Sequence, residues 1–206
     1  MKGSLIILGC FAAGCVAGRL WGTTDIPMHD VSLWLLYLLM LQAGVSVGSN
    51  PQAGAAFRAA SPRLVLLPAV IVGGAVIASA VASLLLRWSA GQCAAVGSAC
   101  GYYSLSSILI GQLTVPDLGA SLAGELATVA LLANIMRELF GVVGAPLTVR
   151  FLGPSAEIAA AGVTSVDVCL PSIMRNCGES WLPAAILTGI LIDLAAPFLI
   201  TALLAL

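Results

Sequence analysis

The chain has 206 residues, 60% of them hydrophobic and 8% charged, with a formal net charge of −1. A soluble domain carries about 25% charged residues, so this composition, with a mean hydropathy of +1.09, excludes an ordinary water-soluble fold. Its 8 basic residues are too few for an electrostatic footprint on phosphates, which excludes a nucleic-acid partner. The expected fold class is an all-α polytopic membrane protein, its one membrane domain spread over the whole chain and solvated by the lipid bilayer.

In chain order, Lys2, an apolar run and small residues around Cys10 and Cys15 have the outline of a secretory signal. Because everything downstream is equally apolar, a retained first helix over residues 5–20 is the expectation. A membrane span needs about 20 apolar residues. Further spans are expected over residues 31–48, 64–86, 121–149 and 182–205, the last with Pro183 in its first turn, where proline is tolerated. Residues 49–63 form the most polar connection.

Two segments depart from this pattern. Residues 93–115 contain Gly97, Gly101 and Gly111 with the hydroxyls of Ser98, Tyr102, Tyr103, Ser104, Ser106 and Ser107. Residues 158–177 contain Gly162, Thr164, Ser165, Asp167, Pro171, Ser172 and Arg175. Both are too polar to face lipid, and both carry helix breakers where freed backbone groups need partners in protein or water. Gly97 and Gly162, Leu105 and Leu170, Ser107 and Ser172, and Ile108 and Ile173 match at a single offset of 65 residues. Paired, interrupted segments of this kind point to a transporter binding site.

The basic residues choose between two topologies. With the N-terminus cytoplasmic, seven full spans place Lys2, Arg58, Arg63 and Arg175 inside against Arg19, Arg87 and Arg150 outside, which is no bias. Five spans plus two opposed re-entrant segments move Arg150 inside and restore the bias. The second arrangement is expected, a secondary-transporter-like plan with the two interrupted segments facing each other near the midplane.

Ionisable groups at membrane depth cost about 2.5–3.5 kcal/mol each on insertion scales, and mark functional sites by default. At about 100° per residue, Asn134, Arg137 and Glu138 share one stripe of the fourth span. Glu138 and Asp167 read as a carboxylate pair that binds a cation or exchanges a proton. The alternative is that Arg137 neutralises one of the two, Glu138 or Asp167, in a buried ion pair. Glu125 is read either as a site residue or as a complement to a helix dipole, and Asp193 as structural. Asp117, Glu157 and Glu179 are placed at interfaces as solvated charges. Tyr103, Ser104, Ser106 and Ser107 are read as a polar cavity lining, and Thr164 and Ser165 as neighbours of Asp167.

The six cysteines make no CxxC or Cys/His ligand spacing and read as reduced small hydrophobes. With His29 isolated, no metal or cofactor is expected. No nucleophile–base pair appears, so the chain is not read as an enzyme.

Three motifs then carry a resemblance. Gly101-Tyr-Tyr-Ser-Leu-Ser-Ser-Ile-Leu109, Asn134-Ile-Met-Arg-Glu-Leu139 and Gly162-Val-Thr-Ser-Val-Asp167 with Leu170-Pro171 resemble the signature of the lysine exporter (LysO) family, in the same order. Leu182-Pro-Ala-Ala-Ile186 matches its last helix start, so the resemblance covers the chain. It implies export of L-lysine and toxic analogues across the bacterial inner membrane, driven by proton exchange. It places the family's Arg-Glu pair on Arg137 and Glu138, and its Thr-Ser-x-Asp on Thr164, Ser165 and Asp167.

The chain departs from the family in two respects. Full-length relatives begin with an additional set of membrane helices, so the chain resembles a short form, working with a small companion membrane subunit or as a homodimer. A non-transporting subunit of a larger complex is the alternative. The position after Asn134 is Ile135 where the family carries an acidic residue, which bears on ion coupling.

Overall fold

The computed structural model describes residues 62–206 continuously, together with isolated positions between Ala13 and Gly54. The expected spans over 5–20 and 31–48 therefore lie outside the described residues, apart from single helical positions such as Val16, Trp34 and Leu41. The chain divides into two compact units, Met1–Tyr37 and Leu38–Leu206. In the first, the Trp34 and Tyr37 rings meet edge to face at 6.1 Å. The architecture below is that of the second.

Helix α1 (Pro62–Ala82) is apolar along its length, as a membrane span must be. Helix α2 (Ala90–Ser98) is short and sharply started. Ser89 caps it by accepting from the Gln92 amide at 3.2 Å, while the Gln92 side chain accepts from the Ser89 amide at 3.0 Å, a complete capping box. Cys100 (φ 46) and Gly101 (φ 98) then break the helix.

Helix α3 (Tyr103–Val143) has 41 residues. Its two halves lie against each other: a Cβ at Gly111 would come within 3.1 Å of Ala127 Cβ, and Asn134 reaches Ser106 at 3.5 Å. The helix is bent at Gly119, whose φ of 77 and ψ of 161 only glycine adopts readily. The interrupted segment over 93–115 and the expected span over 121–149 both run into this helix, one on each side of that bend. Helices α4 (Ala145–Leu152), α5 (Pro154–Ala161) and α6 (Leu170–Cys177) are short, and a 3₁₀ turn (Gly162–Val166) links α5 towards α6. Helix α7 (Leu182–Leu204) closes the chain.

Three of the described helical stretches, Leu64–Ala82, Tyr103–Val143 and Glu179–Leu204, are long and apolar enough to cross a membrane. Together with the absence of strands among the described residues, they make this an all-α membrane protein. Large apolar side chains such as Leu66, Val70, Ile77, Leu132, Met136 and Phe198 point outward, as lipid requires.

Besides a small Ile186–Ile190 cluster, the described interior has two larger apolar clusters. One joins Ile71, Cys100, Ile158, Ala161, Val163, Cys169, Ile173 and Ala185; the other joins Trp88, Val96, Ala99, Ile110, Leu126, Ala130 and Ile200. Cys100 and Ala99 are sequence neighbours in different clusters, so the break after α2 sits where the two cores meet. Helix α7 lies directly on the 3₁₀ turn. A Cβ at Gly189 would come within 2.9 Å of the Val163 carbonyl oxygen.

Candidate functional site

The two helix breaks touch. The Val163 amide donates to the Cys100 carbonyl oxygen at 2.9 Å, one backbone hydrogen bond between the segments that the sequence marks as interrupted. Gly162 sits at the contact with φ 61. A Cβ there would run into the Cys100 carbonyl, so the sequence needs glycine for both conformation and proximity.

Breaking a helix orphans backbone donors and acceptors, and burying them unpaired costs about 1–3 kcal/mol each. One turn of α3 supplies the partners. Asn134, only 3% exposed, accepts from the Gly101 amide at 2.7 Å through its Oδ1. Its Nδ2 donates towards Val96 O at 3.3 Å, Ala130 O at 2.9 Å and Ser106 Oγ at 3.5 Å. Arg137 serves the other break: Nε donates to Ala160 O at 3.1 Å and Nη2 to Ala159 O at 2.7 Å. Those carbonyls end α5, where a cation also complements the helix dipole.

Arg137 therefore turns to carbonyls. No ion pair joins it to Glu138 or Asp167 among the described residues, so the expected alternative of a buried ion pair from Arg137 to either carboxylate is corrected. The physical reason is that a planar guanidinium can satisfy two adjacent orphan carbonyls at once.

Glu138 is half-buried, and its Oε2 is buried without a partner. Asp167 follows the 3₁₀ turn; its Oδ1 accepts from the Val168 amide at 2.6 Å, and its side chain is exposed. The two carboxylates lie within electrostatic range of each other. Asp193, on α7, reaches the same region, within electrostatic range of the Tyr102 hydroxyl and of Asp167. Three elements thus bring carboxylates to the breaks. Asp193 and Tyr102 were the less legible members, because a lone Asp beside Pro197 reads as packing.

The hydroxyls are largely committed to the backbone. Thr164 donates to Ala161 O at 2.9 Å, with Cys169 Sγ 3.1 Å away. Ser165 is shared between Gly162 O at 2.7 Å and Ala185 O at 2.8 Å. Ser106 donates to Tyr103 O at 3.2 Å and Ser107 to Ser104 O at 3.1 Å. Ser104 is exposed and Tyr103 half-buried on the first turn of α3.

Two other carboxylates differ from expectation. Glu125 forms an ion pair with Arg87, with side chains 49% and 61% exposed. Glu157 is fully buried, not solvated at an interface; α4 and α6 pack against its helix, α5. Among the described residues no set of three His, Cys, Asp or Glu side chains converges as a metal site. Cys93, Cys100, Cys169 and Cys177 are free thiols.

A family model described as the lysine exporter LysO matches residues 8–204. A relative from Escherichia coli (strain K12), named lysine exporter LysO, is 27% identical over 173 residues, covering 83% of this chain and 54% of the relative. The chain thus spans about half the length of that relative. A second relative, from Haemophilus influenzae, is 24% identical over 171 residues, covering 82% of each chain. No solved structure matches.

Proposed function

The chain belongs to the lysine exporter LysO family, and from that premise we propose that it exports L-lysine and close basic analogues across the bacterial inner membrane in exchange for protons. The observation that carries this reading is the contact between the two helix breaks, Val163 N to Cys100 O, with Glu138 and Asp167 beside it. Broken helices meeting inside an apolar bundle are how transporters present a polar site to a soluble cargo.

In this reading Glu138 and Asp167 hold the ammonium groups or the exchanged proton, with Asp193 and Tyr102 at the rim. The cargo carboxylate is taken by groups of the interrupted segments around Tyr103, Ser104, Ser106, Ser107, Thr164 and Ser165. Asn134 and Arg137 act as positioning residues that hold each break closed. The interrupted segments are re-entrant, enter from opposite sides, and move against the five spans as access alternates, with the N-terminus cytoplasmic. Proton exchange supplies the driving force, and no cofactor takes part.

A second reading is a non-transporting subunit that needs a small companion membrane chain or a second copy of itself. The test is resistance to a toxic lysine analogue in a lysine-exporter-deficient bacterium. Resistance from the chain alone supports the exporter; resistance only with the companion co-expressed supports the subunit; none in either case refutes both.

A further inference from the structure

Glu157 is 0% exposed, and neither carboxyl oxygen has a hydrogen-bond partner among the described residues. The neighbouring polar side chain is Thr148, whose hydroxyl proton goes to Gly144 O at 3.0 Å. That hydroxyl can accept a hydrogen bond from a protonated Glu157, while its own proton is committed to Gly144 O. A neutral carboxylic acid fits this pocket, and a carboxylate does not.

The surroundings supply no counter-charge. From α3, Arg137 is spent on the Ala159 and Ala160 carbonyls and Glu138 faces Asp167. From α4, exposed Arg150 lies against the Phe151 ring. From α6, Arg175 is exposed, while Cys177, like Cys169 in the preceding turn, lies within electrostatic range of Glu157 as a thiol. The 3₁₀ turn carries no titratable group, and on α7 Asp193 faces Tyr102. An uncompensated buried charge is strongly unfavourable, so such a group keeps its proton or leaves the interior.

Position gives this a consequence. Glu157 lies in the same short helix, α5, whose last carbonyls hold Arg137. We propose that Glu157 is a proton-binding site: protonated, it seats α5 in the interior and keeps Ala159 and Ala160 on Arg137, and deprotonated, it draws α5 outward and releases Arg137. Burial holds its carboxyl at about 7, within the range a cell's proton gradient can work. The inference does not depend on the identity of the cargo.

The test is infrared titration of the full chain in lipid, following the carbonyl stretch of protonated carboxyl groups. The expected result is a component lost around neutral pH in the wild type, absent from Glu157→Gln, and retained in the Glu138→Gln/Asp167→Asn double variant. A component untouched by Glu157→Gln, or lost with the double variant, overturns the assignment. Should Glu157→Gln not fold, Glu157→Asp is expected to shift the transition, and an unshifted one overturns it equally. Release of Arg137 is read from maleimide labelling of Cys169, which is buried. The wild-type rate relative to Glu157→Gln, or to Glu157→Asp, should rise across the same transition; a flat ratio refutes the coupling.

Discussion

Val163 and Cys100 lie in two different broken helices, and the amide of one donates to the carbonyl of the other across 2.9 Å. This bond fixes where two non-helical stretches cross inside an apolar bundle, and three carboxylates gather around it.

Gly162→Ala is expected to destabilise the protein by about 3 kcal/mol or more, combining backbone strain with a clash against the Cys100 carbonyl. Gly153 has a comparable φ of 88 and open space around it. Gly153→Ala should therefore cost only about 1 kcal/mol of strain. Equilibrium unfolding of both in mixed micelles separates proximity from strain.

Asn134→Leu keeps the side-chain volume and removes every bond to the first break. It strands the Gly101 amide and the Val96 carbonyl in the interior, at an expected cost of about 2–4 kcal/mol. Ser106→Ala, which removes one long contact at 3.5 Å, should cost about 1 kcal/mol or less. Unfolding measurements that rank the two in the opposite order would contradict the assignment.

Arg137→Lys keeps the charge and loses the fork that spans two carbonyls. The expected loss is about 1–2 kcal/mol, with Arg137→Met losing more. Were Arg137 an ion-pair partner of Glu138, the Glu138→Gln/Arg137→Met double variant would recover stability. Here it should not.

Glu157 has a carboxyl pushed up to about 7 from an ordinary value of 4.5. The folded protein therefore binds this proton more tightly than the unfolded chain does. Its contribution to stability is fully present below about pH 4.5 and is lost as pH rises through about 7. Thermal unfolding should show Glu157→Gln gaining on the wild type between about pH 4.5 and 7, with little further change above that. Parallel curves would contradict the prediction.

Glu125→Gln should be nearly silent. The Arg87–Glu125 pair is largely exposed, and such pairs contribute about 0–1 kcal/mol. Lysine export by this variant at wild-type rate, measured beside Glu138→Gln, separates a peripheral carboxylate from a central one.

Much of the helix pattern is readable in the residues, because a break inside an apolar run needs glycine for backbone freedom and hydroxyls for orphaned groups. Gly101 and Gly162 carry that signal within residues 93–115 and 158–177. The bend in α3 is readable at Gly119 only once its conformation is known, since glycines also occur unkinked in this chain. The partners of Arg137 were not readable. A sequence offers nearby carboxylates to a cation, but it does not reveal which carbonyls a helix end leaves unpaired 22 residues on. Glu157 misleads for the same reason: it follows Arg150 in a polar stretch, and its burial is created by short helices packing against its own. Asp193 gains meaning only from Tyr102, far away in sequence.

The most direct measurement is efflux of labelled L-lysine from proteoliposomes containing the full chain, with an imposed proton gradient. Wild type and Glu125→Gln should export alike, while Glu138→Gln and Asp167→Asn should each lose gradient-driven efflux. Efflux that survives both substitutions unchanged would contradict a transport site at the crossing of the two broken helices.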